Sequence, residues 1–229
     1  MSLWAIVPLK IVTSSKQRLA GVLTAKQRIQ LTLAMATDVL DMLQGCNNID
    51  HVLLISDDSV AADLCQKTAA EWLKPGAQRG LNADLSFACN YAQEQGAGAC
   101  LILHADLPLL RSQALDRLIK QAQRKADAPG NDMIAAVPCK EGTGTNLLYT
   151  PLPLSIQLVY GKNSFPLFKQ QAQEKGIAFD TLTLEQGDLD VDIPADLEQL
   201  RQRIALSDEA SAKATRRALV DITPKHRDK

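Results

Sequence analysis

Short apolar runs, each stopped at its carboxyl end by polar residues and followed by a helical periodicity, constrain the fold of this chain most. Leu3 to Pro8, His51 to Ser56, Leu101 to Leu103 and Met133 to Pro138 are runs of this kind. Continuous apolar runs of that length suit strands buried on both faces of a parallel sheet. Between the first two, Thr24-Ala-Lys-Gln27 has the form of a capping box. Ile29, Leu33, Ala36, Leu40 and Leu43 then recur at helical spacing, and Gly45 is a natural stop. Further helices are predicted from after Asn82 to about Gln95, from Ser112 to about Lys125, from Pro166 to about Lys175 and from Ala195 to Ile204, with a loop at Asp127–Asn131 and a last strand at Ala178 to Leu184. Strands alternating with helices imply an α/β fold, a mostly parallel sheet flanked by helices.

The 229 residues are enough for one domain with a large core, placed here at residues 1–205. Residues 206–229 are small, polar and mostly basic, and are expected to form a mobile or partly helical tail. Charges nearly cancel, 25 basic against 26 acidic, so no nucleic acid and no anionic membrane is expected as a partner. No apolar run reaches the roughly 18 residues of a membrane span, and the start lacks a signal-peptide pattern. Five scattered cysteines without a CxxC pair fit reduced thiols and a cytoplasmic location. Cys139 lies near the polar segments described next, but no nearby His activates it. A homodimer is expected on general grounds.

The polar segments gather where strands end, the rim at which open α/β sheets bind ligands. Lys10 to Leu19 carries Lys10, Lys16 and Arg18 among small hydroxyl residues. A flexible loop of this kind can wrap a triphosphate, or be an ordinary solvated loop. Asp57 could accept hydrogen bonds from a base or sugar, and Asp58 could cap the next helix. Gly80 permits close backbone approach, and Asn82 has the donors and acceptor that a base edge requires, though turn chemistry explains both equally. Asp106 could hold Mg²⁺ against a phosphate or end a turn. Gly142-Thr-Gly-Thr-Asn146 could hold a phosphate or carboxylate or be a tight turn. Ser164 falls near a helix N-terminus, a natural anion site, with Lys162 adding charge. Asp190 and Asp192 share a face if extended. Together these suggest nucleotidyl transfer: cations on a triphosphate, carboxylates on Mg²⁺, and no protein nucleophile.

The order Pro8-Leu-Lys10, Lys16-Gln-Arg18-Leu19, Gly80-Leu-Asn82, Ala105-Asp-Leu-Pro-Leu-Leu110, Gly142-Thr-Gly-Thr-Asn146, Tyr160-Gly161, Ser164-Phe165 and Asp190-Val-Asp192 resembles the 2-phospho-L-lactate guanylyltransferases of coenzyme F-420 biosynthesis. The resemblance spans roughly residues 3–200 and implies a nucleotide-diphospho-sugar transferase type of fold. It implies that GTP reacts with a small phosphorylated carboxylic acid (2-phospholactate, phosphoenolpyruvate or 3-phosphoglycerate), releasing pyrophosphate. Lys10, Lys16 and Arg18 then match the triphosphate loop, with Lys16, Arg18 and Asp106 as catalytic residues. Asp57 and Gly80, Leu81 and Asn82 fall to GTP. Asp106 and Asp192 match metal ligands. Thr143, Gly144, Thr145, Asn146, Gly161 and Ser164 fall around the acceptor. The family commonly has Ala-Lys-Ser-Arg-Leu where this chain has Ser15-Lys-Gln-Arg-Leu19, which keeps the cations.

Three other readings compete, one of them a structural α/β domain whose polar loops are merely turns, which the joint occurrence of the motifs in family order argues against. A cytidylyl- or molybdopterin-type enzyme of the same fold would favour a Gly-Gly signature in the first loop, absent here. A nucleotide-binding protein without turnover would not need Asp106 and Asp192 together.

Overall fold

The computed structural model describes residues 2–76, 80–126, 133–207 and 211–222. Its strands are β1 (Leu3–Pro8), β2 (His51–Ile55), β3 (Glu71–Leu73), β4 (Ala99–Leu103), β5 (Met133–Pro138), β6 (Thr145–Pro151) and β7 (Ala178–Thr181). They form one seven-stranded sheet in the order β3-β2-β1-β4-β6-β5-β7. Only β6 runs against its neighbours, β4 and β5, and every other pair is parallel.

Alternation along β1 explains the layers on either side. Leu3, Ala5 and Val7 face a core shared with α1 (Ala25–Gln44), α2 (Val60–Thr68) and α4 (Ser112–Ala126). Trp4 and Ile6 face the opposite core, with α3 (Leu81–Glu94) and α5 (Ser164–Glu174). The chain winds outward from β1 to β3 with α1 and α2 on one face. It then returns across the other face through α3 and lays β4 on the free side of β1. Right-handed crossovers require that change of face. The reversal opens a crevice between the carboxyl ends of β1 and β4, where ligands bind in open sheets of this kind.

Local signals act where the sequence places them. Thr24 Oγ1 accepts from the Gln27 N–H at 3.2 Å and Gln27 Oε1 accepts from the Thr24 N–H at 2.9 Å, so α1 begins in a reciprocal capping box. Gly45 closes that helix. Pro194 opens α6 (Pro194–Leu206) from its first turn. Two strand boundaries differ from expectation. β3 has only three residues and no period to reveal it. β7 stops at Thr181, because Leu182 and Leu184 turn inward and are buried. The loop expected at Asp127–Asn131 lies outside the described residues. Among the described residues no helix is long and apolar enough to cross a membrane.

The segment expected to be a mobile or partly helical tail contains a docked helix, α7 (Lys213–Asp221). Thr215, Ala218, Leu219 and Ile222 are buried, the last three in a third core with Leu31 and Met35 of α1 and Leu200 and Ile204 of α6. Both ends are held by charges borrowed from other helices. Asp38 of α1 accepts from the Ala214 N–H at 2.9 Å and the Thr215 N–H at 2.7 Å, which supplies the cap that Ala212 cannot. Arg201 of α6 donates to the carbonyl of Ile222 at 2.8 Å. Burial pushes the Asp38 carboxyl above its ordinary value, and the N–H groups of α7 only partly offset this.

Asp38→Ala should therefore cost about 1–3 kcal/mol by leaving buried N–H groups unpaired. Urea unfolding reads that loss, and trypsin cleavage at Arg216 or Arg217 should accelerate in the variant. An unchanged midpoint and cleavage rate would remove Asp38 as the anchor of α7.

Candidate active site

The crevice at the ends of β1 and β4 opens into a cleft of about 750 Å³. The loop after β1 forms its floor. This loop was expected to be flexible, but it is folded into two 3₁₀ turns, Val12–Ser14 and Gln17–Leu19. Val12 and Leu19 bury themselves, the Val12 N–H donates to Asp58 Oδ2 at 2.9 Å, and the Ser15 hydroxyl lies 2.8 Å from that of Thr32 on α1. Asp58 also accepts from the Val60 N–H at 3.1 Å, so one carboxylate caps α2 and pins the loop.

Lys16 sits between the two turns with a left-handed φ of 51°. A non-glycine residue there costs roughly 1–2 kcal/mol and needs a compensating contact. Its ammonium donates to Asp106 Oδ2 and, at 2.9 Å, to Asp192 Oδ1, with 8% of its side chain exposed. Burial disfavours the charged lysine, but Asp106 and Asp192 outweigh it and hold Lys16 above its ordinary value. The Asp106 carboxyl is pushed up by burial and pulled further down by Lys16. Asp190, beside them in the cleft, is pushed up by burial and by the charges of Asp106 and Asp192. Asp106, Asp190 and Asp192 are the residues here that could hold a hard cation.

Asp190 and Asp192 are carried by the stretch before α6, and that helix fixes the stretch. Asp196 Oδ2 accepts from the N–H groups of Asp192 and Ile193 at 2.9 and 2.8 Å. Arg203 grips Asp188 through two parallel hydrogen bonds of 2.8 and 2.9 Å.

The opposite wall comes from the start of β6 and the start of α5. Thr143, Gly144, Thr145 and Gly161 line the cleft, as does Ser164, whose hydroxyl donates to Thr145 Oγ1 at 3.0 Å. Ser164 occupies the first turn of α5, at the positive end of the helix dipole. A Cβ at Gly144 would lie 3.1 Å from Cys139 Sγ, so a side chain there would require that sulfur to shift, and the sulfur accepts from the Gly144 N–H at 3.0 Å. Asn146 also lines the cleft, but its amide donates to the buried carbonyl of Gly187 at 2.9 Å. It is a strut between this wall and the stretch that carries the carboxylates.

The residues expected at GTP divide. Lys10 and Arg18 line the main cleft, and neither has an ion-pair partner among the described residues. Asp57 and Gly80 line an adjoining cavity of about 260 Å³ that shares Lys10 and Leu81 with the cleft. Asn82 lines neither. Its Oδ1 accepts from the Tyr160 N–H at 2.7 Å and its Nδ2 donates to the Tyr160 carbonyl at 3.0 Å, so both ends of the amide that was expected to read a base tie α3 to the wall formed by β6 and α5. Arg79 lies outside the described residues. Two residues with no role assigned from sequence also line the cleft: His104 and Tyr160, whose rings meet edge to face at 5.4 Å. Each sits beside a motif residue, but no local pattern indicates that the two rings touch.

A family model described as guanylyl transferase CofC like matches residues 3–228. The chain is 36% identical over 205 residues to a phosphoenolpyruvate guanylyltransferase of Conexibacter woesei, covering 90% of each chain. It is 31% identical to the Sphaerobacter thermophilus protein of the same name, covering 87% of this chain and 93% of that one. It is 25% identical to a 2-phospho-L-lactate guanylyltransferase of Methanocaldococcus jannaschii, covering 96% and 91%. Among solved structures, one described as a nucleotide-diphospho-sugar transferase of Desulfovibrio desulfuricans G20 superposes with a TM-score of 0.73 at 14% identity, covering 96% of this chain and 95% of that one. A Leptospira borgpetersenii cytidylyltransferase gives 0.63 at 16% identity, covering 96% and 94%. These structures share the fold.

The Arg203 pair holds the Asp188 carboxyl below its ordinary value. A depressed carboxyl stabilises the fold fully above the unfolded value, near pH 4, and that contribution is lost as pH falls through the lowered value. Thermal melts of the parent and Arg203→Ala should therefore differ at neutral pH and converge below about pH 4. A gap that persists into acid would show that packing of the Arg203 stem, and not the ion pair, holds this stretch.

Proposed function

The chain belongs to the CofC-like guanylyl transferases, and from that premise we propose that it joins GMP from GTP to a small acid bearing a phosphate and a carboxylate, with release of pyrophosphate, in coenzyme F-420 biosynthesis. As a member of that family it is a nucleotidyltransferase. Phosphoenolpyruvate is the first acceptor to test, since relatives at 31–36% identity carry that name. 2-Phospholactate is the second, and 3-phosphoglycerate the third.

The observation that carries this reading is the meeting of three groups at one crevice: the cations Lys10 and Arg18, which have no ion-pair partner among the described residues, the Lys16–Asp106–Asp192 cluster, and the Thr145–Ser164 hydroxyl pair facing them. Lys10 and Arg18 bind the β- and γ-phosphates. The guanosine extends into the adjoining cavity, where Asp57 faces the base. Thr145, Ser164, the α5 N-terminus and Lys162 hold the acceptor. An acceptor phosphate oxygen attacks the α-phosphorus in line, the bond to the bridging α–β oxygen breaks, and pyrophosphate leaves. A phosphate monoester is mostly ionised at pH 7, so no general base is needed. Catalysis is then positioning and charge stabilisation.

Mg²⁺ belongs to this proposal. Among the described residues no group of three or more His, Cys, Asp and Glu forms a ready-made metal site. Mg²⁺ typically takes one or two carboxylates and completes its shell with water and substrate phosphate, so the donor set fits. The buried Asp106 Oδ1 has no hydrogen-bond partner among the described residues. Asp106 and Asp192 would hold the ion, which when bound neutralises charge on the transferring phosphate.

Pyrophosphate release should be seen with GTP and one of the three acids, and not with ATP or CTP. Silence with all three acids while GTP binds would reject the proposed acceptor class. A second prediction concerns the base. Guanine offers two adjacent N–H donors to a carboxylate, whereas xanthine has a carbonyl where guanine has its amino group. Asp57→Asn should lower kcat/KM for GTP by about tenfold or more and make XTP a substrate. Unchanged GTP use, or loss of GTP use without a gain for XTP, would remove Asp57 from base recognition.

A further inference from the structure

Asp106, Asp190 and Asp192 bring three carboxyl groups to one corner of the cleft. Like charges this close raise each other's free energy unless a cation lies among them. In the substrate-free protein that cation is Lys16. It takes Oδ2 of Asp106 and Oδ1 of Asp192, while Oδ1 of Asp106 is buried without a hydrogen-bond partner among the described residues. A divalent cation held by Asp106 and Asp192 would lie against the ammonium and be repelled by it, so the two cations compete for this corner. The lysine is also held under tension. Its backbone is left-handed, and it stands within a loop whose other cations, Lys10 and Arg18, have no ion-pair partner among the described residues. A polyphosphate drawn to Lys10 and Arg18 would present Lys16 with anionic oxygens of its own.

We propose that Lys16 is the resting counter-ion of the carboxylate corner and yields it to a divalent cation only when a nucleoside triphosphate arrives to receive its ammonium. This rests on the proposed reading of Asp106 and Asp192 as metal ligands. It makes uptake ordered. The nucleotide-free site excludes free metal, and metal enters with the triphosphate. The loop then couples substrate recognition to assembly of the catalytic charge, because one side chain serves the carboxylates in the first state and the phosphates in the second.

The experiment is Mn²⁺ binding to the full-length, nucleotide-free protein, followed by electron paramagnetic resonance of the free ion. The parent should bind Mn²⁺ weakly. Lys16→Met, which keeps the length of the side chain and removes the charge, should bind it about tenfold or more tightly. Lys16→Gly, which also relaxes the left-handed backbone, should do the same and serves if the methionine variant does not fold. Adding Asp106→Asn to either variant should abolish the gain and so locate the site. Variants that bind Mn²⁺ no more tightly than the parent would overturn the proposal, as would a gain that survives Asp106→Asn. Pyrophosphate release by the parent with Mg²⁺ reports on the proposed reaction separately, so turnover without the Mn²⁺ gain would defeat the counter-ion role and leave the guanylyl transfer standing.

Discussion

The ion pairs of Lys16 with Asp106 and Asp192 tie together three segments that lie far apart in the chain: the loop after β1, the end of β4 and the approach to α6. Each segment alone would be unfavourable. Lys16 has a left-handed backbone, Asp106 is a carboxylate with little access to water, and Asp190 and Asp192 repel it and each other. Together they compensate, and the geometry of the cleft follows from that compensation. Removing Lys16 or Asp106 breaks the more buried of the two pairs, which is far more costly than losing an exposed pair.

The elements around the cluster read as supports for it. Asp58 and Ser15 fix the loop from below. Asp196 and Arg203 fix the carboxylate stretch from α6, and α6 is in turn clasped through Arg201 by α7, whose other end is held by Asp38. Asn146 joins the wall formed by β6 and α5 to the carboxylate stretch, and Asn82 joins α3 to the same wall. Rigid placement of this kind is what a mechanism without a protein nucleophile requires, because its rate depends on holding reactants and charges in line.

Local features of the sequence were legible. The apolar run at Leu3–Pro8, the Thr24–Gln27 box and the stop at Gly45 each act within a few residues and leave a pattern there. Many of the candidate residues also come to one cleft, since strand ends of a parallel sheet face the same rim. Asn82 shows why the rest was not legible. An asparagine after a glycine suits base recognition and a backbone tie equally, and the choice is made by Tyr160, 78 residues away. The docking of α7 depends on Asp38, 177 residues before Thr215. The partners of Lys16 lie 90 and 176 residues from it. Such pairings have no period and no spacing.

The charge of the cleft links the fold to the chemistry. Lys10, Lys16, Arg18 and Lys162 line it with Asp106, Asp190 and Asp192, four cations against three carboxylates. When all are ionised, the site carries a single positive charge. A nucleoside triphosphate and a phosphorylated acid together bring about seven negative charges at neutral pH. Side chains alone cannot balance that in a cleft of restricted dielectric. On the proposed reading, the carboxylates that oppose the substrates would instead admit divalent charge, and Lys16, one positive charge against three carboxylates, would offset part of the corner's negative charge until the substrates are there. On that reading the lysine would offset the carboxylates before binding, and its charge would join Lys10 and Arg18 against the phosphates afterwards, so that the cationic side of the cleft would be completed only in the presence of the group it has to stabilise.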